Sequence, residues 1–555
     1  MSQTVSPYEI RPATARLADR VIRAGAIYSM AADRQVYRAI AIRDEWIVAV
    51  SEDPHGLDGL VSADTRVIDE PGLTLLPAFD DTHNHFILGA EDISLVQVDQ
   101  ARSIAELIEL IRQRAAQIPS GQWIRTSNAW HESNLAEGRL PTAPELDQAS
   151  VDHPVWVKRG GHIGVANSLA LKLANITRDT PEPKGGTIKR FPDGTPNGIL
   201  LEAPAWMLVS QLIPPLSTEQ LAENLKQACQ VYNALGIGAV RDPIVARDEV
   251  LAYQSLRERG ELTVRCQVMF LISRGPVASV IADIASLGVR SGLGDDWLRI
   301  WGLKTHMDGG VEGAALDQPY SDAPNCSGNL YWNTDDLVEV ANYAVRRGWK
   351  IGAHTVGDSA VRNVLDAYER IIAANPGIKP GTLVMEHGML AYAEQRARAI
   401  KLGIPITVQQ SLLYALGAEF LTRWGEERLR QAVPIRAWLN EGAHISAGTD
   451  YPASSYDPML GLWGMVTRGT KKVGVQGPEY AVDRYTAVQL YTAAGAQLIG
   501  ESDRRGTLQA GRLADLVAFR TDPITCPVDA IPSLRPAFTI VGGHAVYDPE
   551  TMLGE

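Results

Sequence analysis

Cysteine is scarce in this 555-residue sequence, which has four, at positions 229, 266, 326 and 526. They are scattered and none forms a CxxC pair, which argues against a disulfide framework and against a zinc site made of thiolates. Long apolar runs are also missing, since no stretch approaches the roughly eighteen residues of a membrane-spanning helix. The N-terminal segment lacks the apolar core of a secretory signal. We therefore expect a cytoplasmic protein whose chemistry does not rest on cysteine.

Positive charge is in short supply as well. The chain has 52 Lys and Arg against 65 Asp and Glu, a formal net charge of −13 at pH 7. This balance disfavours nucleic acid or an anionic membrane as a partner. Apolar residues make up 45% and charged residues 21%, which is a foldable globular composition. The partner that we expect is a small-molecule substrate, and a homodimer is the default assembly.

Both ends of the chain are rich in short β-branched runs that are separated by Gly, Asp and Pro. Such runs are typical of short strands joined by turns. The pattern predicts one small β-sandwich domain that combines residues 1–75 with residues 505–555. Two separate β-rich appendages are the alternative.

Residues 76–504 alternate strand-like segments with amphipathic helical segments, and polar residues end the strands. Eight such strands with polar carboxyl ends are what a (β/α)8 barrel needs, because the loops at that face form its active site. The predicted fold class is therefore α/β, a (β/α)8 TIM barrel with a small terminal β domain. About 150 residues separate His85 from the next barrel strand at 236, far more than one helix requires. Residues 115–225 are interpreted as an inserted subdomain, or lid, over the barrel mouth.

Histidine is infrequent, and several of the eleven histidines end predicted strands. His83 and His85 form a D-x-H-x-H segment, in which residues two apart point to the same side of a strand. His354 and His387 end two later strands, and Asp450 ends the last. Imidazole and carboxylate groups are good ligands for Zn²⁺ and similar ions. One strand-end histidine is more often structural, but their joint occurrence in this register predicts a metal site.

Lys304 is the next candidate. Alternation in the segment IWGLKTHMDGG places Lys304, His306 and Asp308 on one face. A lysine inside a barrel is costly unless it is paired or chemically altered. Carbamylation by CO₂ would convert it into an anionic carboxylate able to bridge two metal ions. An outward orientation, or an ion pair with Asp308, is the alternative.

Taken together, these residues resemble the binuclear metal centre of the amidohydrolase superfamily. The finer resemblance is to its YtcJ-like (amidohydrolase 3) branch, which includes N-substituted formamide deformylases. The segments that carry it extend over nearly the whole chain: WHESNLAEGRLPTAPELDQASVDHPV, GGHIGVANSLAL, DGTPNGILLE, LKTHMDGG, HTVGD, MEHG, GTDYP and GTLQAGRLADLVAF. One departure lies in the segment GIGAVRD, where Arg241 takes a position at which histidine is common.

The resemblance implies two divalent metal ions held by six ligands: His83, His85, Lys304, His354, His387 and Asp450. The HxH pair and the aspartate would bind the more buried ion, and the other two histidines would bind the second. Carbamylated Lys304 would bridge the two ions, with Glu202 as an alternative bridge. Zinc is the expected metal, although Mn, Fe, Co and Ni accept the same ligand types. Weaker candidates for substrate binding are Trp130, His131, His162, Glu202 and His306, for which packing or hydrogen bonding is the alternative.

The activity implied by the resemblance is hydrolysis of a C–N amide bond other than a peptide bond, in an N-formyl, N-acyl or related carboxamide. A metal-bridging hydroxide would attack the carbonyl carbon, and Asp450 would transfer its proton to the leaving nitrogen. Because ligand histidines must be neutral, activity is expected to fall below about pH 6. A deaminase or an ester or lactone hydrolase on the same barrel is the alternative. A non-catalytic protein that has lost its metals is a third possibility.

Overall fold

The computed structural model describes residues 17–128, 130, 132, 135–159, 163–183, 186–272 and 275–554. Its strands lie in four groups along the chain. The first group is β1 (Arg20–Tyr28), β2 (Val36–Arg43), β3 (Trp46–Ser51) and β4 (Arg66–Pro77). After β5 (Phe79–Asp81), the second group is β6 (Ile124–Arg125), β7 (Val155–Arg159), β8 (Ile163–Ala166), β9 (Thr187–Arg190) and β10 (Pro196–Leu201).

The third group of strands alternates with helices. It comprises β11 (Ile237–Val245), β12 (Arg265–Leu271), β13 (Leu298–His306), β14 (Ile351–Thr355), β15 (Leu383–His387), β16 (Ile406–Val408) and β17 (Ile445–Ala447). The last group is β18 (Leu516–Phe519), β19 (Pro536–Val541) and β20 (His544–Tyr547).

The α-helices follow the same groups. Those up to the second barrel strand are α1 (Phe86–Ser94), α2 (Ile104–Ala115), α3 (Ala143–Asp147), α4 (Ser168–Leu173), α5 (Ala203–Ser210) and α6 (Thr218–Asn233). The later ones are α7 (Val250–Glu258), α8 (Val277–Ser286), α9 (Thr334–Arg346), α10 (Asp358–Ala374), α11 (Ala393–Lys401), α12 (Gln410–Trp424), α13 (Glu426–Gln431), α14 (Ile435–Asn440), α15 (Pro458–Thr467), α16 (Arg484–Leu490) and α17 (Ala493–Ile499). No helix in the described ranges has both the length and the apolarity that crossing a bilayer requires.

Strands from the two ends of the chain form one seven-stranded sheet, in the order β20-β19-β18-β4-β1-β2-β3. Strand β4 runs parallel to β1 and antiparallel to β18, so it joins the two halves. Alternation gives the sheet two apolar faces, with Ile40 and Ile42 in one core cluster and Ala39 and Ala41 in another. The β domain predicted from both termini is thus a single continuous sheet.

The chain between α1 and α6 contains a second sheet, in the order β6-β7-β8-β10-β9. Its strands also alternate, because Val155 and Val157 pack with α2 while Trp156 packs with residues of α4 and α5. Helices therefore cover both faces of this sheet. It forms the inserted subdomain that follows the first barrel strand.

Eight parallel strands form the barrel, in the order β5-β11-β12-β13-β14-β15-β16-β17. Hydrogen bonds join the carboxyl ends of the first and last strands, since the Asp450 amide donates to the His83 carbonyl at 2.7 Å and the Thr82 amide to the Ala447 carbonyl at 3.2 Å. The predicted fold class, a (β/α)8 barrel with a terminal β domain and an insertion after the first barrel strand, is confirmed. The closure brings Asp450 beside the HxH segment.

Helix α10 shows how a barrel helix is specified and fixed. Its buried residues recur at helical spacing, for example Val361, Val364 and Leu365. Gly357 is its N-cap, and the carboxylate of Asp308 accepts the Gly357 amide at 2.8 Å. The loop after β13 is therefore tied to the start of α10 on the face where the strands end.

Candidate metal centre

The HxH segment and Asp450 meet at one point. Asp450 Oδ1 lies 3.3 Å from His83 Nε2 and 3.0 Å from His85 Nε2. His83, His387 and Asp450 each offer a ligand atom, and these three atoms lie within 4.8 Å of one another. Within the described part of the chain, Asp450 Oδ1 is buried and has no hydrogen-bond partner. Two imidazoles and an unsatisfied carboxylate oxygen in this arrangement fit a divalent cation.

Backbone geometry at the strand ends makes this convergence possible. His387 has φ of 71° and Asp450 has φ of 59°, the left-handed region that side chains other than glycine rarely adopt. A Cβ on Gly448 would lie 2.6 Å from the backbone nitrogen of His83, so only glycine allows the end of the last strand to approach the first strand so closely. Strained backbone of this kind is common where side chains are held for function.

The carboxylate of Asp81 holds the ends of β5 and β17 together. It accepts the Thr449 amide at 2.9 Å, the Thr449 hydroxyl at 2.5 Å and the Asn84 side-chain amide at 2.8 Å. Burial raises the pKa of Asp81 to about 6, while these hydrogen bonds act against the rise. The D-x-H-x-H segment thus contributes two imidazoles and also a carboxylate that links the ends of the first and last barrel strands.

Lys304 lies in the barrel interior, fully buried, with Nζ 3.4 Å from His83 Nε2. It points neither outward nor toward Asp308, whose carboxylate instead accepts the amides of Ala315, Val356 and Gly357. Burial lowers the pKa of Lys304 to about 8. A lowered pKa increases the fraction of neutral amine, which is the form that reacts with CO₂.

His354 lies at the edge of the cluster. Its ring centroid is 4.5 Å from that of His387 and 5.0 Å from that of His306. His354 Nε2 is 3.1 Å from the Gly309 carbonyl oxygen and 3.7 Å from Asp308 Oδ1. To bind an ion through Nε2, His354 would have to give up its contact with Gly309.

The predicted substrate residues that the structure describes lie in different parts of the fold. Trp130 is buried in the core of the inserted subdomain, where its indole nitrogen donates to the Lys158 carbonyl at 2.8 Å. Glu202 is exposed at the start of α5, with φ of 64°. His131 and His162 lie outside the described residues. Of this group, His306 alone has a described contact with the histidine cluster, through its ring beside His354.

Glu386 was not identified from the sequence. It is fully buried, and its Oε2 accepts from His83 Nδ1 at 2.7 Å, from Arg241 at 2.6 Å and from the Thr407 hydroxyl at 2.8 Å. Simple alternation along β15 sends Glu386 and His387 to opposite sides, but the positive φ of His387 lets both face the interior. Two features of the sequence could have identified Glu386. It is an acidic residue next to the predicted ligand His387, and Arg241 stands at a position where histidine is common.

The surroundings favour the neutral form of three histidines and the ionised form of two carboxylates, His83, His354, His387, Asp450 and Glu386. Burial lowers the pKa of His83 and His387, and it lowers that of His354 to about 3. Burial alone would raise the pKa of Asp450, but contacts with His83 and His85 hold it well below its usual range. Burial would likewise raise the pKa of Glu386, but the charge of Arg241 keeps it low. Neutral imidazole and ionised carboxylate are the forms that bind metal ions.

The pKa of His354 predicts how stability depends on pH. Its folded-state pKa of about 3 lies below the value of about 6.5 in an unfolded chain, so the unfolded chain takes up the proton first as pH falls. We expect the free energy of unfolding of metal-free protein to fall below pH 6.5 by up to about 1.4 kcal/mol per pH unit from this group. Denaturant titrations of wild type and His354→Gln between pH 7 and pH 4 would measure the difference.

The matched control is His55→Gln, because His55 is exposed, with 64% of its side chain accessible. His354→Gln should flatten the pH profile more than His55→Gln does. Parallel profiles for all three proteins would contradict the assignment.

Comparison with known proteins gives a consistent picture. Residues 66–547 match the sequence model described as "Amidohydrolase family". The chain is 28% identical to the N-substituted formamide deformylase of Arthrobacter pascens, covering 88% of this chain and 91% of that protein. It is 25% identical to the protein YtcJ of Bacillus subtilis, covering 94% and 98%. A solved structure titled as an uncharacterized metal-dependent hydrolase from Pyrococcus furiosus superposes with a TM-score of 0.73 at 26% identity, covering 91% of this chain and all of that one.

Proposed function

Since the chain belongs to the amidohydrolase family, it is a metal-dependent hydrolase, and we propose that it cleaves the C–N bond of a small carboxamide that is not a peptide. The observation that carries the proposal is the convergence of His83, His387 and Asp450 beside buried Lys304. The similarity to a formamide deformylase over most of both chains supports an N-formyl or N-acyl substrate.

The donor set fits divalent ions of the zinc type, because it consists of neutral imidazoles and one carboxylate. We propose that the ligands are His83, His85, Lys304 in carbamylated form, His354, His387 and Asp450. Two bound ions would supply a bridging hydroxide of lowered pKa and a Lewis acid for the carbonyl oxygen of the substrate.

Asp450 is the residue proposed to move the proton. Its low pKa keeps it ionised, so it can accept the proton of the attacking nucleophile. It then donates that proton to the leaving nitrogen, so water and amide give a carboxylic acid and an amine. His306, half-buried beside His354, is proposed to contact the substrate.

A deaminase with a single ion is the second candidate. It is favoured by the contact of His354 Nε2 with the Gly309 carbonyl, which leaves one tight group of ligand atoms among the described residues. An ester or lactone hydrolase would use the same site, because the same nucleophile attacks either carbonyl. Metal stoichiometry and product identity separate these reactions.

The test is elemental analysis of the purified protein, followed by a screen of N-formyl and N-acyl amines, aminopurines, and esters. We expect two ions per chain, release of carboxylate and amine, loss of activity with a chelator and recovery on adding Zn²⁺ or Mn²⁺. One ion per chain with ammonia released from an aminopurine would favour the deaminase. No metal uptake and no turnover after metal addition would overturn both candidates.

Lys304→Met sharpens the test, since it removes the proposed bridge. It should lower the metal content from two ions to one, whereas Lys350→Met should not. Lys350 is a suitable control because it is also a largely buried lysine whose pKa is lowered by burial, and it lies over Trp301 away from the ligand atoms. Equal metal content in the two variants would remove Lys304 from the site.

A further inference from the structure

Two polar side chains, one on β16 and one directly after it, contact His387. Thr407 and Gln409 are two residues apart, and both are buried. Thr407 Oγ1 lies 2.8 Å from Glu386 Oε2 and 3.1 Å from Gln409 Nε2. Gln409 Oε1 lies 2.7 Å from His387 Nδ1. One chain of hydrogen bonds thus runs from Glu386 to His387.

The direction of every bond in this chain follows from its acidic end. An ionised carboxylate only accepts, so Thr407 must donate its single hydroxyl proton to Glu386. The hydroxyl oxygen then accepts from Gln409 Nε2, and also from the His387 amide at 3.4 Å. That contact orients the Gln409 amide with its oxygen toward His387. His387 Nδ1 must therefore carry a proton and donate it.

The same carboxylate fixes the second imidazole. His83 Nδ1 lies 2.7 Å from Glu386 Oε2, and it must also donate. In a neutral imidazole that donates through Nδ1, Nε2 carries the lone pair. His83 Nε2 faces Asp450 Oδ1 at 3.3 Å, within the cluster of candidate ligand atoms.

We infer that Thr407 and Gln409 are positioning residues, which together with Glu386 hold His83 and His387 in one tautomer and present both Nε2 lone pairs to the metal site. The inference rests on the proposed metal-dependent function for its purpose. Its structural content, the two tautomers, does not require a metal.

Burial prevents these side chains from exchanging their hydrogen-bond partners for water. Thr407 and Glu386 are 0% exposed and Gln409 is 1% exposed, so water cannot replace a lost partner. A flipped Gln409 amide would place its NH₂ group against the proton on His387 Nδ1 and its oxygen against the Thr407 lone pairs. An unsatisfied buried donor or acceptor of this kind is destabilising. The arrangement in which each of these buried groups keeps its hydrogen-bond partner is therefore the state of lowest energy.

The test is long-range ¹⁵N–¹H NMR of metal-free protein labelled at histidine, with His83→Asn and His387→Asn used to assign the signals. Wild type should show both residues as Nδ1–H tautomers at neutral pH. Thr407→Val should release Gln409 and give His387 mixed tautomers, while His83 remains Nδ1–H because Arg241 still holds Glu386. Thr407→Ser should restore the wild-type spectrum.

A second readout is the dissociation constant for Zn²⁺, measured by competition with a chelator. Thr407→Val should weaken binding by about 10- to 100-fold, as loss of a partner behind a ligand commonly does. Thr539→Val is the control, because its buried hydroxyl donates to the Asn233 carbonyl at 2.7 Å in the terminal sheet. It should change neither the tautomers nor the affinity.

An Nε2–H tautomer at His387 or His83 in wild type would overturn the inference, as would an unchanged His387 spectrum in Thr407→Val. Expected tautomers in a protein that takes up no Zn²⁺ would leave the hydrogen-bond network standing and reject the proposed function. Zn²⁺ binding together with other tautomers would reject the hydrogen-bond network and leave the proposed function standing. The two failures are therefore distinguishable.

Discussion

Asp450→Asn is expected to lower kcat by about a hundred- to ten-thousand-fold, the range for removal of a general acid–base group. Asparagine has nearly the same shape and keeps an oxygen that can face His83 and His85, so fold and metal content should be largely retained. It cannot accept the proton of the nucleophile, so the transfer to the leaving nitrogen is lost. Steady-state kinetics with the amide found in the screen, together with metal analysis, would measure the effect.

Asp457→Asn is the control for this substitution. Asp457 is the N-cap of α15, where its carboxylate accepts the Met459 amide at 2.9 Å. Asparagine is an equally good N-cap, so kcat should change by less than about twofold. If Asp450→Asn holds its metal and turns over like wild type, Asp450 has no role in proton transfer.

Arg241→Met is expected to lower the free energy of unfolding by about 3–5 kcal/mol, because it leaves the buried Glu386 carboxylate without its cation. Arg241 NH2 lies 2.6 Å from Glu386 Oε2, and both side chains are fully buried. Denaturant titration of metal-free protein would measure the loss. Zn²⁺ affinity should fall as well, since Glu386 fixes His83.

A second buried ion pair gives a matched control. Arg265 contacts Asp515 at 2.9 Å and lies 4.5 Å from the ring of Trp297, as Arg241 lies 4.5 Å from that of Trp301. Arg265→Met should cost similar stability, yet leave the Zn²⁺ affinity and the His83 tautomer unchanged. Equal loss of Zn²⁺ affinity in the two variants would show that Arg241 acts through general stability alone.

Much of the fold could be predicted because each barrel strand can be recognised from a short stretch of sequence. Each barrel strand is a short apolar run, and polar residues such as His354 and Asp450 stand where the run ends. Parallel strands in a barrel all end at one face, so residues distant in sequence are brought together there. The short β-branched runs at the two ends likewise predicted one β domain built from both termini, and β4 joins the strands of the two ends.

The details of the site were less predictable because they depend on departures from regular geometry. The positive φ at His387 turns Glu386 and His387 to one side, and no sequence pattern around these residues predicts that conformation. A one-residue register shift between β12 and β13 opposes Met269 to Gly302, so alternation along β13 is broken before Lys304. Alternation placed Asp308 on the same face as Lys304, but the Asp308 carboxylate accepts backbone amides of Ala315 and Val356.

The position of β4 has a consequence for biosynthesis. One side of β4 can pair with β1 once both have left the ribosome, but the partner of its other side is β18, which begins at Leu516. Throughout translation of the barrel, the nascent chain therefore carries an open strand edge bordered by Leu75 and Leu76, the kind of edge that recruits other strands and leads to aggregation. A premature stop before Leu516 would make that exposure permanent.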